Sequence, residues 1–285
     1  MAVEAEISVL SHSGSSDMTS DVPATHPFCL RLGLFWISFG MFVLSGCRPP
    51  GPEHGTVFVL KVDPAQSSAP QNLTAGGSEA EAALHQRFEK LGFALSLQRP
   101  KNAPDLLHLT TSAGGEDLPI LRKLVTQPGR MRFAWVHPES QKRLEQNDLP
   151  PGYAVFREFR RSPQGQEMVI RHLVSTQAID GLSNANLKQV AISKWDPLTQ
   201  TCELTLEWNE VGRRAFAEAT AQNQGNMLAV LVDNTLVCAP VIRARIENGQ
   251  AVISSLGSER EAQALAAVLR HPIQARMNLV EERSF

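Results

Sequence analysis

The sequence predicts an α+β protein built from two units, and two patterns carry this prediction. Runs of β-branched and apolar residues alternate with segments of helical periodicity from residue 56 onward. Over residues 56–137 the elements follow the order β-α-β-β-α-β, whereas more strands than helices follow in residues 153–272. We therefore expect a ferredoxin-like split βαβ base, completed by the C-terminal strand, and a second mixed α/β unit.

The first unit opens with the strand TVFVLKV at 56–62, which is apolar enough to be buried. Ser78 and Glu81 have the spacing of a capping box, so the first helix is predicted to begin there and to end at Gly92. Apolar residues spaced by four and three positions give this helix one buried face: Leu84, Phe88 and Leu91.

The rest of the base is predicted from alternation and from turn residues. FALSLQ (93–98) and NAPDLLHLTT (102–111) form a hairpin, LPILRKLVTQPG (118–129) is a helix that ends at its Pro-Gly pair, and MRFAWVH (131–137) is the next strand. Residues 138–152 form a short exposed helix and a hinge that leads into the second unit.

The second unit begins with strands at 153–159 and 167–174, followed by strands at 187–193 and 201–208. In the last of these, alternate residues are apolar, which places Cys202 on its buried face. Asn209 is expected to cap the helix EVGRRAFAEATAQN, because its side chain can accept a free amide hydrogen bond of the first turn.

Residues 227–242, MLAVLVDNTLVCAPVI, form the next predicted hairpin. Asp233 and Asn234 tolerate the positive φ of a two-residue turn, which sets Cys238 opposite Ala229. No His or basic residue lies within this stretch, so Cys238 behaves as a small apolar residue. A disulfide with Cys202 is the alternative.

The chain ends with a hairpin through residues 248–249, a helix and a strand. Ser258 and Glu261 form a capping box before the helix EREAQALAAVLR (259–270). The strand PIQARMNLVEE (272–282) is apolar at alternate positions and is expected to return to the sheet of the base.

The N-terminus is interpreted as an export signal. Residues 1–29 are polar and without periodicity, and Met18 is an alternative start. The uncharged run at 32–46 would span about 22 Å as a helix, less than the ~30 Å of a hydrocarbon core. Its last three residues and Cys47 read LSGC, which resembles a lipoprotein signal box with Cys47 as the lipidated residue; an uncleaved short anchor is the alternative.

The composition favours a binding or structural protein over an enzyme. The net charge of −2 includes no basic block, so no nucleic-acid partner is expected. The eight His residues never have the spacing of two ligands on a helix face, and no motif for a phosphate-binding loop, a dinucleotide or a serine nucleophile is present. We predict no catalytic residue, no metal and no cofactor.

Several spaced segments resemble the first periplasmic domain of SecD, a membrane component that assists bacterial protein export. They are PPGY (150–153), HLVSTQAIDG (172–181), LAVLVDNTLVCAP (228–240), EAQALAAVLR (261–270) and VEERS (280–284). LHQRFEKLG and LRKLVTQPGRMRFAWV resemble the base of the same domain, and single residues add to the match: Gly212, Phe216, Thr220, Asp233, Pro240, Gly249 and Ile253. Asn234 departs from the family, which usually has glycine in this turn.

The resemblance implies a base-and-head architecture in which the head contacts exported polypeptide. The expected division is a disordered preamble and signal peptide at 1–46, a tether at 47–55, a base at 56–137 with 273–285, a linker at 138–152 and a SecD-like head at 153–272. SecD-type transport needs several spanning helices and intramembrane acidic residues, so proton-driven translocation is not carried over to this chain.

These expectations together describe a non-enzymatic, lipid-anchored and periplasm-facing protein of the bacterial envelope, with the outer membrane favoured by Arg48. Its expected partners are exported or envelope polypeptides and the Sec export machinery, with the membrane reached through the lipid on Cys47. The alternatives are a scaffolding envelope lipoprotein and, third, a hydrolase whose site is assembled from distant residues.

Overall fold

The computed structural model describes residues 54–63, 73–161, 166–193, 202–256 and 258–285. No helix within these ranges is long and apolar enough to cross a membrane. The base contains four strands and two helices from both ends of the chain: β1 (Thr56–Asp63), α1 (Leu73–Lys90), β2 (Leu95–Gln98), β3 (Leu106–Thr111), α2 (Leu118–Thr126) and β12 (Arg276–Ser284).

The base sheet has the strand order β12-β1-β3-β2, and every neighbouring pair is antiparallel. This is the split βαβ order expected from the sequence, with the C-terminal strand in the fourth place. Register runs from Thr56 opposite Ser284 to Asp63 opposite Arg276, with one irregularity after Val59. The α+β fold class is therefore confirmed, and so is the return of the last strand to the base.

The strand at 131–137 does not belong to the base, contrary to the expected boundary. It forms β4 (Met131–Trp135), which pairs with β9 (Leu228–Val232) in the head. Both faces of β4 are buried, because Phe133 and Ala134 enter two different apolar clusters. The fourth place in the base is taken by β12, so β4 is free to extend the head sheet.

The first helix also differs from the sequence expectation, because α1 begins at Leu73 rather than at Ser78. The Ser78 and Glu81 pair therefore lies inside the helix. Residues three apart are neighbours on any helix surface, so the capping-box spacing also occurs away from a helix start. The predicted apolar face is confirmed, since Leu84, Phe88 and Leu91 are all buried in the base core.

The head contains three further antiparallel sheets and two helices. Its sheets have the orders β10-β9-β4, β11-β8-β7 and β5-β6. Their remaining elements, with the short linker helix α3, are as follows: α3 (Ser140–Glu145), β5 (Tyr153–Arg161), β6 (Glu167–Ser175), β7 (Leu187–Ile192), β8 (Cys202–Trp208), α4 (Glu210–Gln222), β10 (Thr235–Cys238), β11 (Gln250–Leu256) and α5 (Glu259–Arg270).

The sheet β10-β9-β4 is covered on both faces, which explains the uninterrupted apolar run LAVLV in β9. One face packs in the main head core, where the rings of Phe133, Trp208 and Phe216 meet at centroid distances of 5.4–6.3 Å. The other face packs against Phe156 of the β5–β6 pair. Residues 243–249 contain no strand, so the hairpin predicted through 248–249 is replaced by the pairing of β11 with β8.

Helix α5 contributes to the cores of both units. Ala264, Ala267 and Val268 pack in the base core, whereas Ala266 and Leu269 pack in the head core. Its start is the predicted one, since the Ser258 side chain accepts a hydrogen bond from the Glu261 amide at 3.1 Å. Base and head therefore share one helix rather than meeting only through a linker.

Candidate functional site

The β5–β6 pair is a two-stranded antiparallel ribbon of nine residue pairs, from Tyr153 opposite Ser175 to Arg161 opposite Glu167. Near the Tyr153–Ser175 end, the Leu173 amide donates to Ser140 Oγ at 2.8 Å, and the His137 amide donates to the Leu173 carbonyl at 2.8 Å. These bonds tie β6 to α3 and to the end of β4. A two-stranded sheet is marginally stable alone, so packing against the head must hold the ribbon in place.

The ribbon exposes apolar side chains along its outer face. Val155 is 44% exposed, Phe159 65% and Val169 52%. Phe159 and Val169 are directly opposite each other in the register, and Val155 lies on the same face because side chains alternate along a strand. Single exposed apolar residues are ordinary on a protein surface, but several on one face of a strand pair indicate a candidate binding surface.

Two arginines lie within this apolar row. Arg157 is directly opposite Arg171, and both side chains are exposed. Neither has an ion-pair or side-chain hydrogen-bond partner within the part of the chain that the structure describes. The outer face therefore presents a pair of unneutralised cations between Val155 on one side and the pair Phe159–Val169 on the other.

The inner face of the ribbon holds a buried charged cluster. The carboxylate of Glu158 is 1% exposed and accepts hydrogen bonds from Arg160 Nε at 2.8 Å and from His172 Nε2 at 2.9 Å. Burial raises the pKa of Glu158, but the hydrogen bonds from His172 and Arg160 outweigh it, so the pKa lies below its ordinary value. All three side chains belong to the ribbon, so the buried carboxylate and its two donors join β5 to β6.

A second polar cluster lies where the chain passes between base and head. The guanidinium of Arg87 in α1 is fully buried and donates to the carbonyls of four residues at 2.6–3.0 Å. Leu124, Gln127 and Pro128 lie where the chain leaves the base for the head, after α2. His271 lies where it returns to the base, after α5. Burial lowers the pKa of Arg87 to about 10, so the side chain is still charged at neutral pH. One cation therefore joins both crossings.

Asp233 holds the same crossing from the head side. Its two carboxylate oxygens accept hydrogen bonds from the amides of Gly129 and Arg130, both at 2.8 Å. Gly129 has φ of +83°, and a Cβ atom there would lie 2.3 Å from the Val268 carbonyl oxygen. The turn residue of the family-like hairpin thus has a second role, since it fixes the segment that enters β4.

The family-like residues of α4 are structural. Gly212 lies where a Cβ atom would be 3.0 Å from Trp208 Cβ, and Phe216 is fully buried. Thr220 Oγ1 donates to the Phe216 carbonyl at 2.7 Å and accepts from the Ile246 amide at 3.0 Å. The predicted cap is present, because Asn209 Oδ1 accepts from the Gly212 amide at 3.0 Å.

Pro240 and Gly249 also have backbone roles. The Pro240 carbonyl accepts from the Leu228 amide at 2.9 Å, which continues the β9 pairing beyond β10. Gly249 has φ of +67°, and its carbonyl accepts from the Trp208 amide at 2.9 Å. Gly249 therefore needs the conformational freedom that a residue without Cβ provides.

The two cysteines of the head are free thiols, so the disulfide considered from the sequence is not formed. They lie in different sheets, Cys202 in β8 and Cys238 in β10. Burial raises the pKa of Cys238 to about 12, which agrees with an unreactive thiol.

The expected partner of Cys238 was wrong by one position. Cys238 lies opposite Val230 rather than Ala229, because the register shifts between Leu236 and Cys238. The extra residue turns Cys238 onto the opposite face from Leu231 and Leu236, into the main head core.

Polar chemistry elsewhere in the described ranges is limited. They contain no group of three or more His, Cys, Asp or Glu side chains that could hold a metal ion. A shallow depression on α4 is lined by Arg213, Arg214 and Arg245, but the first two are already bound to Glu210. Cys47, the predicted signal peptide and the tether up to residue 53 lie outside the described residues.

Sequence reasoning missed the ribbon's exposed face and the role of Arg87. The signal for Arg87 was present, since it lies three residues after Leu84 and one before Phe88, on the apolar face of α1. The ribbon gave a weaker signal, because Phe156 and Phe159 point to opposite faces and alternation alone does not say which face is covered.

The head is similar to a known family of protein domains. The family model of the SecDF P1 head subdomain matches residues 158–272. Protein translocase subunit SecDF of Thermus thermophilus is 44% identical over 68 residues, which are 24% of this chain and 9% of that protein. Protein translocase subunit SecD of Rickettsia prowazekii is 26% identical over 193 residues, 66% of this chain and 35% of that protein. The chain thus spans about a third or less of these relatives.

A solved structure agrees with the fold as a whole. It is described as that of a membrane component SecDF that enhances protein export, and it superposes with a TM-score of 0.53 at 24% sequence identity. The superposition covers 80% of this chain and 99% of that chain. Base and head are therefore present together in the solved structure, in the same overall arrangement of strands and helices.

Proposed function

We propose that this protein is a non-enzymatic, lipid-anchored envelope protein that binds exported or envelope polypeptides and assists their export, because residues 158–272 match the family model of the SecDF P1 head subdomain. The observation that carries the proposal is the exposed row formed by Val155, Phe159 and Val169 on the ribbon. Extended polypeptide in transit exposes apolar side chains, and a row of this kind offers them a complementary surface.

The ribbon also has the backbone geometry for such a ligand. It is a sheet of two strands, and an extended segment can add to an open sheet edge through main-chain hydrogen bonds that do not depend on sequence. A protein that handles many exported chains needs contacts of this general kind. Side-chain contacts on the outer face would then add preference without restricting binding to one sequence.

Photo-crosslinking in cells tests the proposal. A photoreactive residue at Phe159 is compared with one at Val211, which is 60% exposed on α4 and so controls for exposure alone. We expect crosslinks to newly exported polypeptides from position 159 only. Equal capture from both positions, or none from 159, would contradict polypeptide binding by the ribbon.

A defined ligand gives a second test in solution. We expect the full-length protein to bind a permanently unfolded, reduced and carboxymethylated protein, and the double substitution Phe159→Ser with Val169→Ser to weaken binding at least tenfold. The matched control is Val211→Ser, which removes an equally exposed apolar side chain outside the ribbon and should leave the affinity unchanged.

Lipid anchoring is tested separately by mass spectrometry of the mature N-terminus. The proposal expects a chain that begins at Cys47 and carries a diacylglyceryl group on its thiol. A chain that begins at Met1 or Met18 without lipid would remove the anchor, while leaving polypeptide binding to be judged by the ribbon experiments.

A scaffolding role in the envelope is the second candidate, and one observation favours it. Helix α5 packs in both cores, and Arg87 joins both crossings between base and head. Two units joined in this way suit a spacer between envelope layers. A spacer needs no exposed apolar row, so normal envelope integrity with the Phe159→Ser and Val169→Ser double variant, together with lost polypeptide binding, would separate the two functions.

A further inference from the structure

The outer face of the ribbon contains a like-charge pair in an unfavourable position. Arg157 and Arg171 are directly opposite each other, where Cβ atoms of paired residues lie about 4.5–5.5 Å apart. Like charges in this position destabilise a sheet, and each arginine could have been neutralised by a carboxylate opposite it. The arginine pair therefore lowers the stability of the ribbon, and it places two cations side by side on an exposed surface.

Neighbouring arginines show how this protein neutralises cations where charge serves only the fold. Arg160, on the inner face of the same strand, is bound to Glu158 at 2.8 Å. Arg143 in the adjacent helix α3 contacts both Glu139 and Asp148. The charges of Arg157 and Arg171 remain available for a ligand, and a carboxylate is the side-chain group that matches a pair of guanidinium forks.

The spacing of the face matches that of an extended polypeptide. The Arg157–Arg171 pair lies two residues from the Phe159–Val169 pair and two residues from Val155, about 7 Å in each direction along the strands. In an extended segment that runs along the ribbon, side chains on one face recur every two residues at the same interval. A carboxylate above the arginines then places apolar side chains above Phe159 and Val155.

We infer that the outer face of the ribbon selects extended polypeptide segments of the pattern apolar-x-acidic-x-apolar. The inference rests on the proposed function and names the class of polypeptide that the same surface prefers. Arg157 and Arg171 supply the preference for acid, whereas Val155, Phe159 and Val169 supply contact that any apolar side chain can make.

The order of side chains favours a polypeptide over an anionic membrane surface. A bilayer receives apolar side chains at depth and cations nearer the water, with charge on one side only of the apolar group. On this face the arginines lie between apolar residues on both sides, so a flat bilayer would either bury the cations or leave Val155 in water. An extended segment with an acidic side chain between two apolar ones can contact the arginine pair and the apolar residues on both sides of it at the same time.

The test measures fluorescence anisotropy of three labelled peptides that differ only in one central residue. Each has the extended pattern Val-Thr-X-Thr-Phe within neutral flanks, where X is Glu, Gln or Lys, and is titrated with the full-length protein. We expect the Glu peptide to bind about threefold tighter than the Gln peptide and about tenfold tighter than the Lys peptide. The order should collapse as ionic strength rises to about 0.5 M.

The double variant Arg157→Gln with Arg171→Gln assigns the preference to these side chains. It should bind the three peptides with equal affinity, close to that of the wild type for the Gln peptide. Arg276→Gln, which removes an exposed arginine of β12 in the base, is the matched control and should keep the wild-type order. Circular dichroism of each variant verifies that it is folded.

The outcomes separate this inference from the proposed function. If all three peptides bind equally to the wild type, the acidic preference is wrong and polypeptide binding stands. If none binds, both are wrong. If phosphatidylglycerol vesicles bind in an Arg157- and Arg171-dependent way while none of the peptides does, the surface recognises membrane and the inference is overturned.

Discussion

Arg87 is a cation on the apolar face of a helix, and its surroundings explain why the position is tolerated. All four carbonyls that it binds belong to backbone that leaves helices α2 and α5, where carbonyl groups lack helical partners. Burial of a charge is costly unless hydrogen bonds compensate for it, and here four acceptors do so. Sequence periodicity places residue 87 inside the fold but cannot reveal carbonyls that come from distant segments.

We expect Arg87→Met to lower the free energy of unfolding by about 2–4 kcal/mol, because several buried carbonyls would lose a charged donor. Urea denaturation followed by tryptophan fluorescence measures the change. Arg122→Met is the matched control, since Arg122 is an exposed helix residue that binds only Glu282, and its unfolding curve should overlie that of the wild type. Equal curves for the two variants would contradict the role given to Arg87.

Glu158 makes stability depend on pH in a direction that follows from its lowered pKa. A carboxyl group with a folded-state pKa below the ordinary value of 4.5 stabilises the fold above that value, and this contribution is lost as pH falls through the folded-state pKa. We expect the wild type to lose stability from about pH 5 to pH 3 more steeply than Glu158→Gln. Urea unfolding across this range measures both slopes.

The control for this pH experiment is Glu218→Gln. Glu218 is an exposed carboxylate of α4 that accepts one hydrogen bond from Gln222, so its removal should leave the wild-type slope unchanged. If Glu158→Gln retains that slope as well, the acid sensitivity must come from other carboxylates, and the cluster of Glu158 with His172 and Arg160 would not govern it.

Helices and strands were predicted correctly from the sequence where the local signals agreed with one another, as the caps of α4 and α5 show. Asn209 and Ser258 each accept the predicted amide hydrogen bond, which depends only on residues within three positions. Signals failed where tertiary contacts decided the outcome. The partner of β4 depended on the return of β12 from the far end of the chain, and the face of Cys238 depended on an extra residue in β10.

The ribbon provides a prediction at the scale of an element, because it contains a like-charge pair. Arg171→Glu would place a carboxylate opposite Arg157, and we expect the free energy of unfolding to rise by about 0.2–1 kcal/mol. The same change should abolish the preference for the Glu peptide, because the paired side chains then carry no net charge. Arg171→Gln, which removes the repulsion without adding attraction, should give an intermediate stability in urea unfolding.

At the scale of the molecule, base and head share α5, and this predicts that they unfold together. We expect Val268→Ala, a cavity in the base core, to cost about 1–2 kcal/mol and to reduce hydrogen-exchange protection in β1 of the base and in β8 of the head by the same free energy. Val211→Ala, an exposed substitution on α4, is the control and should change neither strand. Lower protection in β1 alone would mean that the two units unfold independently.

The site was harder to predict than the fold, and the reason is physical. Core positions are set by periodicity, which a single sequence displays, as with Leu84, Phe88 and Leu91 in α1. A strand face is exposed only if no other element of the fold packs against it, and this depends on the positions of all the other elements. The SecD-like motifs therefore identified the architecture of the head, whereas the ribbon's row of Val155, Phe159 and Val169 emerged only from the packed molecule.

The pairing of β1 with β12 also determines the order in which the protein can be completed. Thr56 pairs with Ser284, so β1, the first strand of the described ranges to leave the ribosome, gains its partner on that side only when the end of β12 has been made. During that interval the nascent base has an open apolar sheet while the head sequence is still arriving, and closure over so long a loop is slow.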